Sequence, residues 1–359
     1  MNGERPRKFL ARLFYGLFYQ EKKAMNEREI IDWLLQGDVS IQYQVYRDLF
    51  HSEKRELQDK IALEGWGARF LSFRKEDGHW GQGFYQPKWI STHYTVLDLK
   101  NLGISQNNKE IRETLSSMTQ KLKGPDGGIY PIGADKKSDV CVNGMFLNYA
   151  SYFGVEEGEL RSIVDFLIAE HMPDGGFNCY SNGKGAVHSS MHSTISVVEG
   201  IQEYIRNEYT YRLEELQAAE LKAKEFLLMH KLFRSDRTGE VIDRKMLMLS
   251  YPSRWRYDIL RAMDYFRLAG VAYDFRMDDA VQVLLKKRKT DNRWPLQAKH
   301  PGQTHFDMEK AGEPSRWNTL RALRVLRHFG VTRQKCPSAI PSRIDPRVLG
   351  IPIHLVIYR

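Results

Sequence analysis

Apolar positions recur along this chain with helical spacing, in blocks that end near a glycine. No stretch keeps the alternation of a half-buried strand. The blocks are Ile41–Phe50, Trp89–Leu102 before Gly103, Asp139–Phe153 before Gly154, His188–Glu199 running through Gly200 to Ile205, Trp255–Ala269 before Gly270, and Trp317–Phe329 before Gly330. Glycine just past a helix is the usual C-terminal stop. Met145–Tyr152 and Ser190–Ile201 are apolar over much of their circumference, which suits an inner layer. Between these blocks lie Arg55–Arg74, Ile111–Lys123, Glu159–His171, Leu213–His230 and Met277–Lys289. They are polar on one side, as at Glu214, Glu215, Lys222 and Lys224, which suits an outer layer.

A turn signature precedes most inner blocks. Its copies are Glu76-Asp77-Gly78-His79-Trp80-Gly81, Pro125-Asp126-Gly127-Gly128-Ile129-Tyr130 and Pro173-Asp174-Gly175-Gly176-Phe177-Asn178. Weaker copies are Ser235-Asp236-Arg237-Thr238-Gly239 and Thr290-Asp291-Asn292-Arg293-Trp294. Asp-Gly and Gly-Gly favour tight turns, and the aromatic that follows would plug each turn into the body. The last two inner blocks share Pro-Ser-Arg-Trp, at Pro252 to Trp255 and Pro314 to Trp317, and then Leu-Arg-Ala, at Leu260 to Ala262 and Leu320 to Ala322. The unit is a helical hairpin of roughly 50 to 60 residues, repeated about six times. One hairpin cannot bury its own apolar face, so neighbours must stack. The expectation is an all-α fold, a closed two-layer barrel of six hairpins with a central cavity. It divides the chain into an N-terminal segment (1–39), the ring (40–332) and a Pro-rich tail (333–359) that reads as an extended strap.

Composition changes this picture little. Hydrophobic residues make up 42%, charged residues 28% and aromatics 12%, which excludes a disordered or low-complexity chain. Three cysteines make no disulfide framework and fit a reducing, cytoplasmic setting. No apolar run is long enough to span a membrane. Residues 7–18 mix Arg7, Lys8 and Arg12 with Phe9, Leu10, Leu13, Phe14, Leu17 and Phe18. They read either as a terminal helix packed on the body or as a helix with weak membrane-surface affinity. Lys+Arg exceed Asp+Glu by 54 to 45, a net charge of +9. The excess forms no single tract and no nucleic-acid-binding signature accompanies it, so a nucleic-acid partner is not expected. Lys88, Lys136, Arg254, Arg256 and Arg316 instead stand at the starts of inner helices. In a ring those starts share one mouth, where helix N-termini and arginine forks would attract an anion. Trp89, Tyr94, Trp255, Tyr257 and Trp317 interleave with them as cavity walls, and His93 faces the same interior by repeat logic.

The turn signatures resemble the prenyltransferase and squalene-cyclase repeat. Lys75 to Trp80 is similar to the cyclase turn motif. Pro125 to Gly128 and Pro173 to Phe177 are similar to the glycine motif of protein prenyltransferase β subunits. The resemblance covers about residues 40–330 and implies an α/α toroid. It also implies a metal site. The family's Asp-x-Cys at the start of an inner helix, with a histidine one repeat on, matches Asp139, Cys141 and His192 here, with Cys179 and His188 as alternates. Zinc there would have three protein ligands and one open position, and would activate an acceptor thiol. The implied function is zinc-assisted transfer to or from an isoprenoid-like or apolar-tailed anionic molecule. Lys136, Arg254 and Arg316 would hold the anion, and Trp89, His93, Trp255, Tyr257 and Trp317 would line the cavity. This chain departs from the family at Val142, where a tyrosine is usual, and at Gly133, where a basic residue is usual. The clustered aspartates of protonating cyclases and of metal-diphosphate cyclases are absent; Asp278-Asp279 is an isolated pair. Two alternatives stay open. One is a non-catalytic binding or scaffold ring. The other is a different enzyme on a helical barrel: a zinc-dependent lanthionine-type cyclase, or a sugar-processing enzyme using carboxylates among Glu199, Asp258, Asp307 and Glu309.

Overall fold

A computed structural model describes residues 26–130, 137–180 and 185–331. The described residues form α1 (Glu27–Leu35), α2 (Val39–Leu49), α3 (Arg55–Lys60), α4 (Gly65–Leu71), α5 (Thr92–Leu102), α6 (Lys109–Lys121) and α7 (Val140–Tyr152). They continue with α8 (Glu157–Ala169), α9 (Met191–Arg206), α10 (Leu213–Met229), α11 (Ile259–Leu268), α12 (Asp278–Lys287) and α13 (Arg316–His328). The only β pairing among them is isolated bridges. The helices fall in the expected blocks, but α5, α9 and α11 begin three or four residues later than expected, at Thr92, Met191 and Ile259, and one block is split. Arg55–Arg74 is two short helices, because Gly65 sits at φ 67° and a Cβ on Gly67 would collide with the carbonyl oxygen of Ile61.

Four of the hairpins share one clip. Gly78, Gly127 and Gly175 take φ of 84°, 86° and 94°, and Asn292 takes 64° in a weaker copy. Such angles suit glycine and, less well, asparagine. The preceding aspartate folds the turn: Asp77 accepts the His79 N–H at 2.9 Å, Asp126 the Gly128 N–H at 3.2 Å and Asp291 the Arg293 N–H at 3.1 Å. The plug residues Trp80, Ile129, Phe177 and Trp294 are then fully buried. Their backbone N–H groups donate to the first turn of the next inner helix. Trp80 reaches Thr92 at 3.0 Å, Ile129 reaches Asn143 at 2.7 Å, Phe177 reaches Thr194 at 3.0 Å and Trp294 reaches Thr319 at 3.0 Å.

The inner helices α2, α5, α7, α9, α11 and α13 close into a ring. Packing contacts join α5 to α7, α7 to α9, α9 to α11, α11 to α13, and α13 back to α2. The remaining seam is made by Gln44, whose side-chain amide donates to the carbonyls of Asn101 (2.8 Å) and Leu102 (3.1 Å). The all-α two-layer toroid is therefore the fold of the chain. In α7 every residue from Val140 to Ser151 is buried, as an inner helix walled on all sides requires. The α7–α9 contact is the tightest, because Gly144 and Gly200 let the two backbones touch. A Cβ on Gly144 would lie 2.7 Å from Val197 Cα. Outside the ring, α1 packs on α2. No helix of the described residues is long and apolar enough to cross a membrane. The basic segment 7–18 and the tail from 333 lie outside the described residues.

Candidate functional site

Ring closure encloses a central cavity of about 350 Å³, lined from all six inner helices. Its walls come mainly from their C-terminal halves, as with Arg47, Lys100, Tyr152, Glu203, Arg267 and Arg324. Eight basic and five acidic residues line it. Most of these charges are paired across the ring. Arg324 bridges Asp264 and Asp48, the latter at 2.6 Å; Arg261 holds Glu199 at 2.6 Å; and Lys100 holds Glu203 at 2.9 Å. Burial pushes the carboxyls of Asp48 and Asp264 up. The arginines beside them, Arg324 foremost, outweigh it and leave both below the usual carboxylate range. Arg254 pairs with Asp98 of α5. There burial wins, and the Asp98 carboxyl is raised to about 6 against the pull of Arg254. Of the buried arginines in the lining, Arg321, 5% exposed, has the poorest partner: Asp264 is 3.6 Å away and already held by Arg324 and Arg267. Trp317 supplies an apolar wall, stacked on Tyr251 at 4.8 Å.

The opposite end of the ring, expected from the sequence to be the mouth, is covered. Residues 297–309 cross it as a strap. Trp89 N–H donates to Gln303 O at 2.6 Å, Gln303 N–H returns to Lys88 O at 3.0 Å, and the Trp89 indole donates to Pro301 O at 2.8 Å. His305 meets the Thr95 hydroxyl at 3.0 Å. Beneath the strap lies a space of about 30 Å³, bordered by Trp89, Arg254, His300 and His305. That is room for about one water.

The residues expected to hold zinc lie at this covered end, and their bonds are with other groups. His192 Nδ1 accepts the Tyr257 N–H at 2.8 Å, and its ring stands edge-on to Trp255. Burial, with Arg256 and Arg261 nearby, lowers the His192 pKa to about 4. Cys141 opens α7 and donates its backbone N–H to Cys179 Sγ at 3.1 Å. The Cys179 sulfur beside it, then burial, raise the Cys141 pKa. Cys179 is held below the usual thiol range, first by the Cys141 thiol and, against its own burial, by the Ser193 hydroxyl (3.2 Å) and the Cys141 N–H. Asp139 is the residue before α7, and its carbonyl accepts the Asn143 N–H at 3.0 Å. Among the described residues no three His, Cys, Asp or Glu side chains gather as a metal ion requires. Asp139, Cys141 and His192 do not fit a zinc site in this arrangement.

The other expected residues divide in the same way. Arg254 and Trp317 line the cavity. Lys136 lies outside the described residues. Arg316 faces away from the ring interior: its Nε donates to Trp33 O at 3.0 Å and its guanidinium lies 4.6 Å over the Trp33 ring, docking α1. Trp255 is half-buried under Arg256, and the buried Tyr257 donates its hydroxyl to Leu232 O. His93 is fully buried; its Nδ1 meets the Tyr149 hydroxyl at 2.9 Å, its Nε2 has no hydrogen-bond partner, and burial lowers its pKa to about 3. The carboxylates considered for sugar chemistry have structural bonds. Asp258 caps α11, Glu309 takes the Arg316 N–H at 2.6 Å, Glu199 holds Arg261, and Asp307 holds Lys299 at 2.5 Å. What the sequence reading passed over is the inner charge layer: Asp48, Asp98, Arg261, Asp264, Arg321 and Arg324. Arg261 and Arg321 did carry a signal, as the charged centre of the repeated Leu-Arg-Ala inside otherwise apolar helices.

No family model matches the chain, and no curated protein matches it. Among solved structures it is similar to two variant forms of the type II terpene cyclase MstE from Scytonema. One is in complex with merosterolic acid A as product, the other with geranylgeranyl dihydroxybenzoate as substrate. Each is 15% identical over 76% of this chain and 96% of that chain, with a TM-score of 0.29. Closure of the ring rests on this chain's own helix contacts.

Proposed function

We propose that the central cavity binds a small anionic molecule. Its acid group would sit between Arg254, Arg261 and Arg321, and its apolar part, isoprenoid-like or otherwise, against Leu97, Tyr251 and Trp317. The observation that supports this most is Arg321, a buried guanidinium whose nearest carboxylate is 3.6 Å away and already shared. A buried cation without a dedicated partner is costly, and an incoming anion would relieve that cost. Apolar walls and weak screening strengthen such an interaction. The volume, about 350 Å³, is at the small end of ligand pockets. Metal-assisted transfer is not part of this reading, because the imidazole expected for it accepts the Tyr257 N–H and no three ligand side chains gather among the described residues.

Calorimetric titration with inorganic diphosphate, geranyl diphosphate and geraniol tests the reading. Both diphosphates should bind and the uncharged alcohol should not. Arg321→Gln should weaken diphosphate binding roughly tenfold or more. Absence of diphosphate binding, or equal binding by Arg321→Gln, would overturn it. A second reading is a ring that serves only as a scaffold. It is favoured by the dense internal pairing of Asp48, Glu199, Glu203 and Asp264. It predicts that none of the three probes binds.

A further inference from the structure

Two of the three cysteines meet at the covered end of the ring, and the anion-binding cavity makes no use of them. Cys141 lies in the first turn of α7, and Cys179 in the loop before α9. The Cys141 backbone N–H donates to Cys179 Sγ at 3.1 Å, which sets the two cysteines side by side. A second donor, the Ser193 hydroxyl at 3.2 Å, converges on the same sulfur. Cys179 returns its own N–H to Ser193 Oγ at 3.1 Å, which fixes the hydroxyl in place. Cys179 is half-buried beside the exposed Tyr180, whereas Cys141 is only 9% exposed and stands behind it. A sulfur that accepts two donors is arranged to carry the negative charge of a nucleophile, and a second cysteine beside it is placed to follow it.

We propose that Cys179 and Cys141 form a thiol–disulfide exchange centre, in which Cys179 attacks a low-molecular-weight disulfide and Cys141 resolves the adduct. Cys179 sheds its proton to water and attacks one sulfur of RS–SR. That S–S bond breaks, and RS⁻ leaves with the electron pair and is protonated by water. Cys141 then loses its proton to water and attacks Cys179 Sγ. The mixed disulfide breaks and a second RS⁻ leaves to become RSH. The protein dithiol is oxidised by two electrons and the small disulfide is reduced to two thiols. The order of attack follows exposure: the outer sulfur meets the reagent and the inner one closes the bond.

The test uses the full chain with Cys336→Ser, oxidised glutathione as probe, and intact-mass and peptide mapping as readout. The parent should form the Cys141–Cys179 disulfide and keep no glutathione. Cys141→Ser should keep one glutathione, on Cys179. Cys179→Ser should leave Cys141 unmodified over the same time, and Ser193→Ala should react several-fold more slowly. Glutathione retained on Cys141 in Cys179→Ser at the parent's rate, or none on Cys179 in Cys141→Ser, overturns the proposal. Should a serine variant fail to fold, timed isotope-coded alkylation of the unsubstituted protein decides the same point. Cys179 must label before Cys141, and the reverse order overturns the assignment.

Discussion

Arg254 and Asp98 form an ion pair inside the ring, with side chains only 6% and 3% exposed, and it joins the loop before α11 to the middle of α5. Removing one partner of such a pair strands the other in a poor solvent. Arg254→Met should cost about 3–5 kcal/mol. The double variant with Asp98→Asn should lose clearly less than the two single losses together. A urea-denaturation cycle measures both quantities, and simple additivity would show that the pair is not coupled.

Close approach of α7 and α9 gives a second expectation. Gly144→Ala puts a methyl against the Val197 backbone, which no side-chain rotation can relieve. The loss should be about 1–3 kcal/mol. Gly158→Ala is the control, since a Cβ there meets nothing within 4 Å. Equal thermal midpoints for the two variants would refute the packing argument.

Arg316 separates ring function from ring scaffolding. Its guanidinium covers Trp33 at 4.6 Å, with Arg293 on the same ring at 4.7 Å. Arg316→Ala should therefore lower stability by about 1 kcal/mol. It should leave diphosphate affinity unchanged in calorimetry, unlike Arg321→Gln. A large loss of affinity would return Arg316 to the anion site.

Acid should destabilise the fold before its carboxylates titrate in bulk. Burial lowers His93 to about 3, and His192, His300 and His305 to about 4. Unfolded histidines take up protons near 6.5, so between about pH 6.5 and 4 the unfolded chain binds more protons at these four sites. Stability contributed there is present above that window and is lost as pH falls through it. Asp98 acts in the opposite sense: raised to about 6, it binds its proton more readily folded than unfolded. The histidines outnumber it, so net stability should fall from pH 7 to about pH 4.5. Urea midpoints across that range check the sign, and a midpoint that rises on acidification would contradict it.

Much of this protein was legible in its sequence. The Asp-Gly turns, the plugs Trp80, Phe177 and Trp294, and the glycine stops are local rules of φ, capping and burial, so they read directly from neighbouring residues. The inner–outer division followed from helices apolar all round against helices apolar on one face. The two-helix break at Gly65 escaped, because it depends on Ile61 approaching Gly67 from a neighbouring turn. Arg254 and Trp317, expected at the cavity from repeat position, line it. Arg316, at the matching position of the next repeat, turned outward because α1 offers it Trp33.

The sequence alone determined the repeat, the helices and the ring, since each depends on contacts within one hairpin or between adjacent ones. Only the tertiary structure decided which charges meet. Arg324 finds Asp48 across 276 positions of chain and Arg254 finds Asp98 across 156, and no local pattern encodes such pairings. It also decided which end of the ring is covered, because the strap at 297–309 crosses helix starts distant from it in sequence. Spacing could set Asp139, Cys141 and His192 on adjacent inner helices. Other parts of the chain supplied the bonds made there: the Tyr257 N–H meets His192 Nδ1, and Cys179 Sγ takes the Cys141 backbone N–H.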